Sequence, residues 1–161
     1  MNTAGPGIPA VRRRKCIMKL STKCRYGLRA LVDLAVFSGR GHVALHEIAQ
    51  RQEISLKYLE QDFSILRRAG IVKSVKGAQG GYLLTKSPSE IRLSEIVTVL
   101  EGDLQLIEID DPEQTDIRSF LTQRVWTRLN QNVNESLHSI FLSDLVDDYR
   151  VQQSGEGMYY I

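Results

Sequence analysis

Apolar residues between positions 21 and 38 fall at Tyr26, Ala30, Leu31, Leu34, Ala35 and Phe37, a spacing that predicts an amphipathic helix. Ser21 offers an N-cap hydroxyl ahead of it, and Gly39 and Gly41 break it behind. A shorter helix is predicted over 45–52, with Leu45, Ile48 and Ala49 on one face. Glu53-Ile54-Ser55 then turns tightly into a longer helix, capped by Ser55, in which Tyr58, Leu59, Phe63, Leu66 and Ala69 recur and Gly70 closes the C-terminus. Here the period changes. Residues 71–75 are rich in β-branched side chains, and 81–85 (GYLLT) read as a returning strand, so Lys76-Gly77-Ala78-Gln79-Gly80 becomes the tip of a β-hairpin. After Ser87-Pro88 come a short helix over 94–100, an exposed acidic loop over 103–116, a long helix from about 115 to 134 and a short helix over 143–150.

Two short helices joined by a tight turn make a helix-turn-helix candidate, and the hairpin directly behind them makes it a winged one. The glycine-rich stretch SVKGAQGGYLLTK is not a nucleotide cradle. Such loops need a helix after the glycines, whose N-terminus holds the anion, and here a strand follows. Glycines instead permit positive φ and keep a wing tip slim, and Lys76 would bring a cation to a DNA minor groove. A winged helix can also be turned to binding protein, and the pattern by itself leaves both uses open. The long helix repeats Ile117, Leu121, Val125, Leu129 and Val133 in fourfold steps, beside Phe120 and Trp126. Such a stripe wants a partner surface, either a second copy in a two-fold dimer or the protein's own head.

Charge sharpens this division. Residues 1–92 hold 17 Lys and Arg against 6 Asp and Glu, a balance of +11, whereas residues 93–161 hold 4 against 13, a balance of −9. A basic half joined to an acidic half fits a polyanion-binding head with a separate partner region. The first seventeen residues, with the run Arg12 to Lys15, read as a disordered basic leader that either touches DNA or stays solvated, and Met18 is an alternative start. The expected organisation is a leader over 1–17, a winged helix-turn-helix domain over 18–92, a dimerisation and regulatory region over 93–150 and a flexible tail over 151–161. No apolar run approaches the length of a membrane span and no signal peptide is legible, so a cytoplasmic protein is expected, with no membrane partner. Cys16 and Cys24 build no disulfide framework, and His42 and His46, four apart, lack a third ligand and read as exposed polar residues. There is no nucleophile beside a base and no paired carboxylate site, so no enzyme is expected.

The strings STKCRYGLRAL, EIAQRQEISLKYLEQDFSILRRAGIVKSVKGAQGGYLL and VLEG resemble the Rrf2-type winged-helix transcription regulators, the IscR- and CymR-like group, over residues 18 to about 150. The resemblance implies a fold that is mainly α with a small β-hairpin: a winged helix-turn-helix domain plus a long C-terminal dimerisation helix. It implies a homodimer that binds double-stranded DNA at a near-palindromic operator, with recognition helices about 34 Å apart in successive major grooves. Ser55, Lys57, Tyr58, Glu60 and Gln61 would lie on the recognition helix, Gln61 suited to adenine and Glu60 either to a cytosine amino group or to orienting a neighbouring arginine. Thr22, Lys23, Arg25 and Tyr26 match the backbone-contacting segment, where Tyr26 is equally placed to be partly core, and Lys76 and Gly77 belong to the wing. Cluster-binding relatives carry C-x5-C-x5-C-x2-H, and the matching positions here are Glu108, Gln114, Phe120 and Gln123. An iron–sulfur cluster is therefore not expected, nor any other cofactor, and a cluster-free repressor resembling CymR, in cysteine or sulfur metabolism, is favoured. Three inputs stay open: oxidation of Cys24, placed beside cations at a helix start, a small ligand bound between the head and the long helix, or a protein partner such as cysteine synthase.

Overall fold

In a computed structural model the chain is described over residues 20–105 and 116–156. Helix α1 spans Thr22–Phe37, and the hydroxyl oxygen of Ser21 accepts from the Cys24 amide at 3.1 Å, the cap expected of it. A 3₁₀ turn, Ser38–Arg40, leads through Gly41 (φ 114°) to α2, Leu45–Gln52, and then α3, Leu56–Arg68. Ser55 stands at the N-cap of α3, and its carbonyl oxygen accepts the first bonds of the helix from Tyr58 and Leu59, but its hydroxyl makes no cap bond, so the side-chain cap expected of it is not formed. The wing is β1, Val72–Val75, paired antiparallel to β2, Gly81–Leu84, with Val75 opposite Gly81. A third strand, invisible in the sequence, consists of a single residue: Val43 exchanges backbone hydrogen bonds of 3.0 and 2.8 Å with Tyr82. Gly81 makes this approach possible, since a Cβ there would lie 2.4 Å from the Val43 carbonyl oxygen.

Helix α4 covers Leu93–Glu101. The long helical stretch begins at Ile117 instead of 115 and runs past 134: α5, Ile117–Leu121, passes through a π turn, Thr122–Trp126, into α6, Thr127–Ser139. Helix α7 spans Leu142–Glu156, so residues 151–156, expected to be loose, are helical. The expected basic leader, the end of the tail and most of the acidic loop fall outside the described residues.

One cluster of buried side chains holds the head together. Ala30, Leu31 and Leu34 of α1 meet Ile48 of α2, Leu59, Phe63 and Leu66 of α3 and Val72 of β1. The cluster does not stop at residue 92, where the sequence suggests a boundary. Ile96, Val97 and Leu100 of α4 and Leu142 and Val146 of α7 belong to it, because the Leu93 amide donates to Ile140 and the Leu142 amide to Ile91, closing the α6–α7 turn onto the start of α4. At Gly27 a Cβ would lie 2.6 Å from a Leu100 methyl, so α1 and α4 pack at glycine distance.

Candidate nucleic-acid interface

The angle between α1 and α2 is held by charge. The Asp33 carboxylate, fully buried in its side chain, accepts from Arg51 Nη2 at 2.7 Å and Nε at 3.0 Å and from Gln52 Nε2 at 2.8 Å. The guanidinium also stacks 4.1 Å over the ring of Phe37, which is 45% exposed and not on the buried face expected of it. The α2–α3 turn then reverses at Glu53, whose left-handed backbone (φ 53°, ψ 44°) is rare for a residue with a Cβ.

This frame presents α3 with one face in the core and the other in solvent. Leu59, Phe63 and Leu66 point inward, while Ser55, Lys57, Tyr58, Glu60 and Gln61 are exposed. Lys57, Glu60 and Gln61 line a shallow open groove continued by Ser64, Ile65 and Arg68, three residues that the sequence reading passed over. Their spacing from Lys57 and Gln61 carries the signal, since 57, 61, 64 and 68 lie on one helical face. At the start of α1, Thr22, Lys23 and Arg25 are exposed, with Arg25 Nη2 donating to Thr22 Oγ1 at 3.3 Å. Tyr26 is half-buried and meets Tyr58 edge-on, ring centroids 6.4 Å apart, so the two expected contact segments adjoin. Lys76 and Gly77 (φ 131°) are exposed at the wing tip, and Phe63 packs edge-on against Tyr82 at 4.9 Å to join the wing base to α3. The head therefore brings three exposed polar segments onto one framework.

Cys24 is a correction. Its backbone stands where expected, but the side chain is 1% exposed because it falls in phase with Gly27 and Leu31 on the buried face of α1. Burial first, then the carboxylate of Glu101, pushes its thiol upward, and the opposing pull of Lys23 does not reverse the direction. A low-pKa redox thiol is not what this environment makes. Nearby, Asp62 is 2% exposed on the inner face of α3, its Oδ2 has no hydrogen-bond partner, and burial raises its carboxyl to about 6, against an opposing pull from Lys23.

On the long helix Ile117 is 79% exposed, with Phe120, Leu121 and Leu129 also exposed and Val125 and Val133 half-buried. From this stretch the head's core draws on Leu137 and Ile140 instead.

A helix-turn-helix followed by a hairpin that pairs with a short third strand defines a winged-helix protein of the DNA-binding class. The chain belongs to the Rrf2 family, whose model, described as "Iron-dependent Transcriptional regulator", matches residues 20–148. It is 41% identical over 144 residues to the HTH-type transcriptional regulator CymR of Bacillus subtilis, covering 89% of this chain and all of that one. It is 43% identical over 135 residues to IscR of Cereibacter sphaeroides, covering 80% of this chain and 87% of the relative. The solved structure of CymR, described as the global cysteine regulator of B. subtilis, superposes with a TM-score of 0.72 at 40% identity, over 81% of this chain and 98% of that one. The protein is thus a DNA-binding transcriptional regulator and not an enzyme. Among the described residues no helix is long and apolar enough to cross a membrane.

The family description raises the question of iron. The residues do not fit a cluster of the C-x5-C-x5-C-x2-H kind: the whole chain has two cysteines, Phe120 and Gln123 stand at two of the four ligand positions, and Glu108 and Gln114 at the other two lie outside the described residues. Phenylalanine and glutamine supply neither thiolate nor imidazole.

Proposed function

We propose that the protein is a homodimeric repressor of a bacterial cytoplasm that reads a near-palindromic operator without an iron–sulfur cluster. The observation carrying this reading is the outward face of α3, where Lys57, Tyr58, Glu60 and Gln61 stand clear of the core beside a wing tipped by Lys76. Lysine and arginine on phosphates would supply affinity, and base-edge contacts from α3 would supply sequence preference. Thr22, Lys23, Arg25 and Tyr26 would hold the backbone next to the recognition helix, Ser55 would contribute its free hydroxyl, and Gly77 would let the wing approach closely. The basic region through residue 92 serves as reader, and residues 93–150 join two copies through the stripe Ile117, Leu121, Val125, Leu129 and Val133, of which Ile117, Leu121 and Leu129 are exposed. A helix stripe with this much uncovered apolar side chain is supported best by a second copy of itself.

For the input, the likeness to CymR favours control of cysteine or sulfur metabolism through a protein partner such as cysteine synthase, because burial of Cys24 argues against direct thiol sensing. Selection of bound duplexes from a random DNA pool, with purified protein under reducing conditions, tests the reading. A motif with two half-sites about one helical turn apart is expected. A well-folded protein that enriches no motif would overturn it.

A further inference from the structure

The wing is secured at its base and not along its length. Two backbone hydrogen bonds tie Tyr82 to Val43, the ladder ends at Val75 and Gly81, and the tip over 76–80 closes on itself through the Gly80 amide donating to Gly77 at 3.0 Å. One side chain of the head crosses to this tip. His42 Nε2 donates to the backbone carbonyl of Gln79, thirty-seven residues away. The carbonyl can only accept, so the bond fixes the hydrogen on Nε2. Local backbone explains why this histidine reaches so far. Gly41, at φ 114° and ψ −152°, turns the chain out of the 3₁₀ turn so that Val43 lies along β2, and the preceding side chain is directed over the tip. His42, His46 and Glu47 on one side and Gly77 to Gly80 on the other then line an open cleft, which the imidazole bridges.

We propose that His42 is a positioning residue for the wing: its imidazole holds the Gln79 carbonyl, so that Lys76 and the slim Gly77 backbone meet the minor groove in one orientation. The inference rests on the DNA-binding reading of the wing. A hairpin tip built on glycine loses much conformational freedom when it docks, and a tether in the free protein removes part of that loss beforehand. His42 thus acts through Lys76 and need not touch DNA.

The experiment uses the full chain and the operator selected above, with affinity read by fluorescence anisotropy, minor-groove contact by hydroxyl-radical footprinting and folding by Tm. His42→Ala and His42→Phe are expected to weaken binding by about three- to tenfold, the scale of one hydrogen bond. Protection under the wing should fade while the base preferences set by α3 persist, and His42→Gln, which keeps a donor, should recover part of the affinity. Lys76→Ala should cost markedly less in a His42→Ala background than alone, because an untethered tip no longer presents the lysine. His42→Phe binding as tightly as the parent would overturn the proposal, and so would strict additivity of the His42 and Lys76 changes. Failure of the parent protein itself to enrich any motif sinks the DNA reading, and the tether with it; normal parental binding with unaffected His42 variants sinks the tether alone.

Discussion

Replacing Asp62 with leucine should make the protein more stable, and by an amount that depends on pH. Asp62 is buried on α3, as are Leu59, Phe63 and Leu66, its carboxyl has one oxygen unpartnered, and burial lifts it from 3.8 to about 6. A folded-state value raised above the unfolded one means that the folded chain binds the proton more tightly. Its ionisation therefore costs nothing well below the unfolded value of 3.8, costs more as pH rises between 3.8 and 6, and exerts its full penalty above that. Two units correspond to about 3 kcal/mol near pH 7.5 and about 1.5 kcal/mol near pH 5. Leucine is bulkier than aspartate, and refitting it costs about 1 kcal/mol at either pH. Urea unfolding should thus show Asp62→Leu ahead by about 2 kcal/mol near pH 7.5, a Tm gain of roughly 4–8 °C, with most of the advantage gone near pH 5. An advantage that stays constant with pH, or a variant less stable at neutral pH, would refute the picture of an uncompensated buried carboxylate.

Three other substitutions test the frame and the assembly. Arg51→Leu leaves Asp33 charged and buried without its guanidinium, and urea unfolding should register a loss of about 3 kcal/mol or more. Glu53→Gly relieves a left-handed backbone at the turn between α2 and α3 and should gain about 1 kcal/mol in the same assay, with operator affinity retained. Leu121→Asp combined with Leu129→Asp puts charge on the exposed stripe and should yield a monomer in sedimentation equilibrium, with operator affinity falling because two half-sites can no longer be engaged together.

The helices of the head were legible because each one carries a clean apolar face and a local stop. Helix α2 falls on residues 45–52 as read, and the glycine-rich hairpin is a wing whose glycines serve close packing as much as turning, as the contact between Gly81 and Val43 illustrates. What escaped is what depends on distant partners. Val43 is one residue long as a strand and acquires that status only when Tyr82 lies beside it. Asp33 looks like a surface charge on an amphipathic helix until Arg51 and Gln52 arrive from the next one. The burial of Cys24 is hidden for a related reason: its neighbours Lys23 and Arg25 are cationic and exposed, yet a helix turns about 100° per residue, and that rotation takes the thiol from their side into the core. His42 reads as a polar residue at a helix start, and its bond to Gln79 exists only once the hairpin has folded back. Arg68 could have been found, since it completes the helical face begun by Lys57.

The π turn at Thr122–Trp126 sets a rotational phase. Residues four apart on a regular α-helix advance by about 40° with each step, so five positions from Ile117 to Val133 would wind through about 160° and could not share one face. One extra residue in the ladder, with the Thr127 amide donating to Thr122 five positions back, holds the helix back by about 100°. The remaining spread of about 60° is narrow enough for a seam. Chain length between 122 and 126 thereby works as an angular setting: loss of a single residue there would restore the regular ladder and swing Ile117 and Leu121 a quarter-turn or more away from Leu129 and Val133.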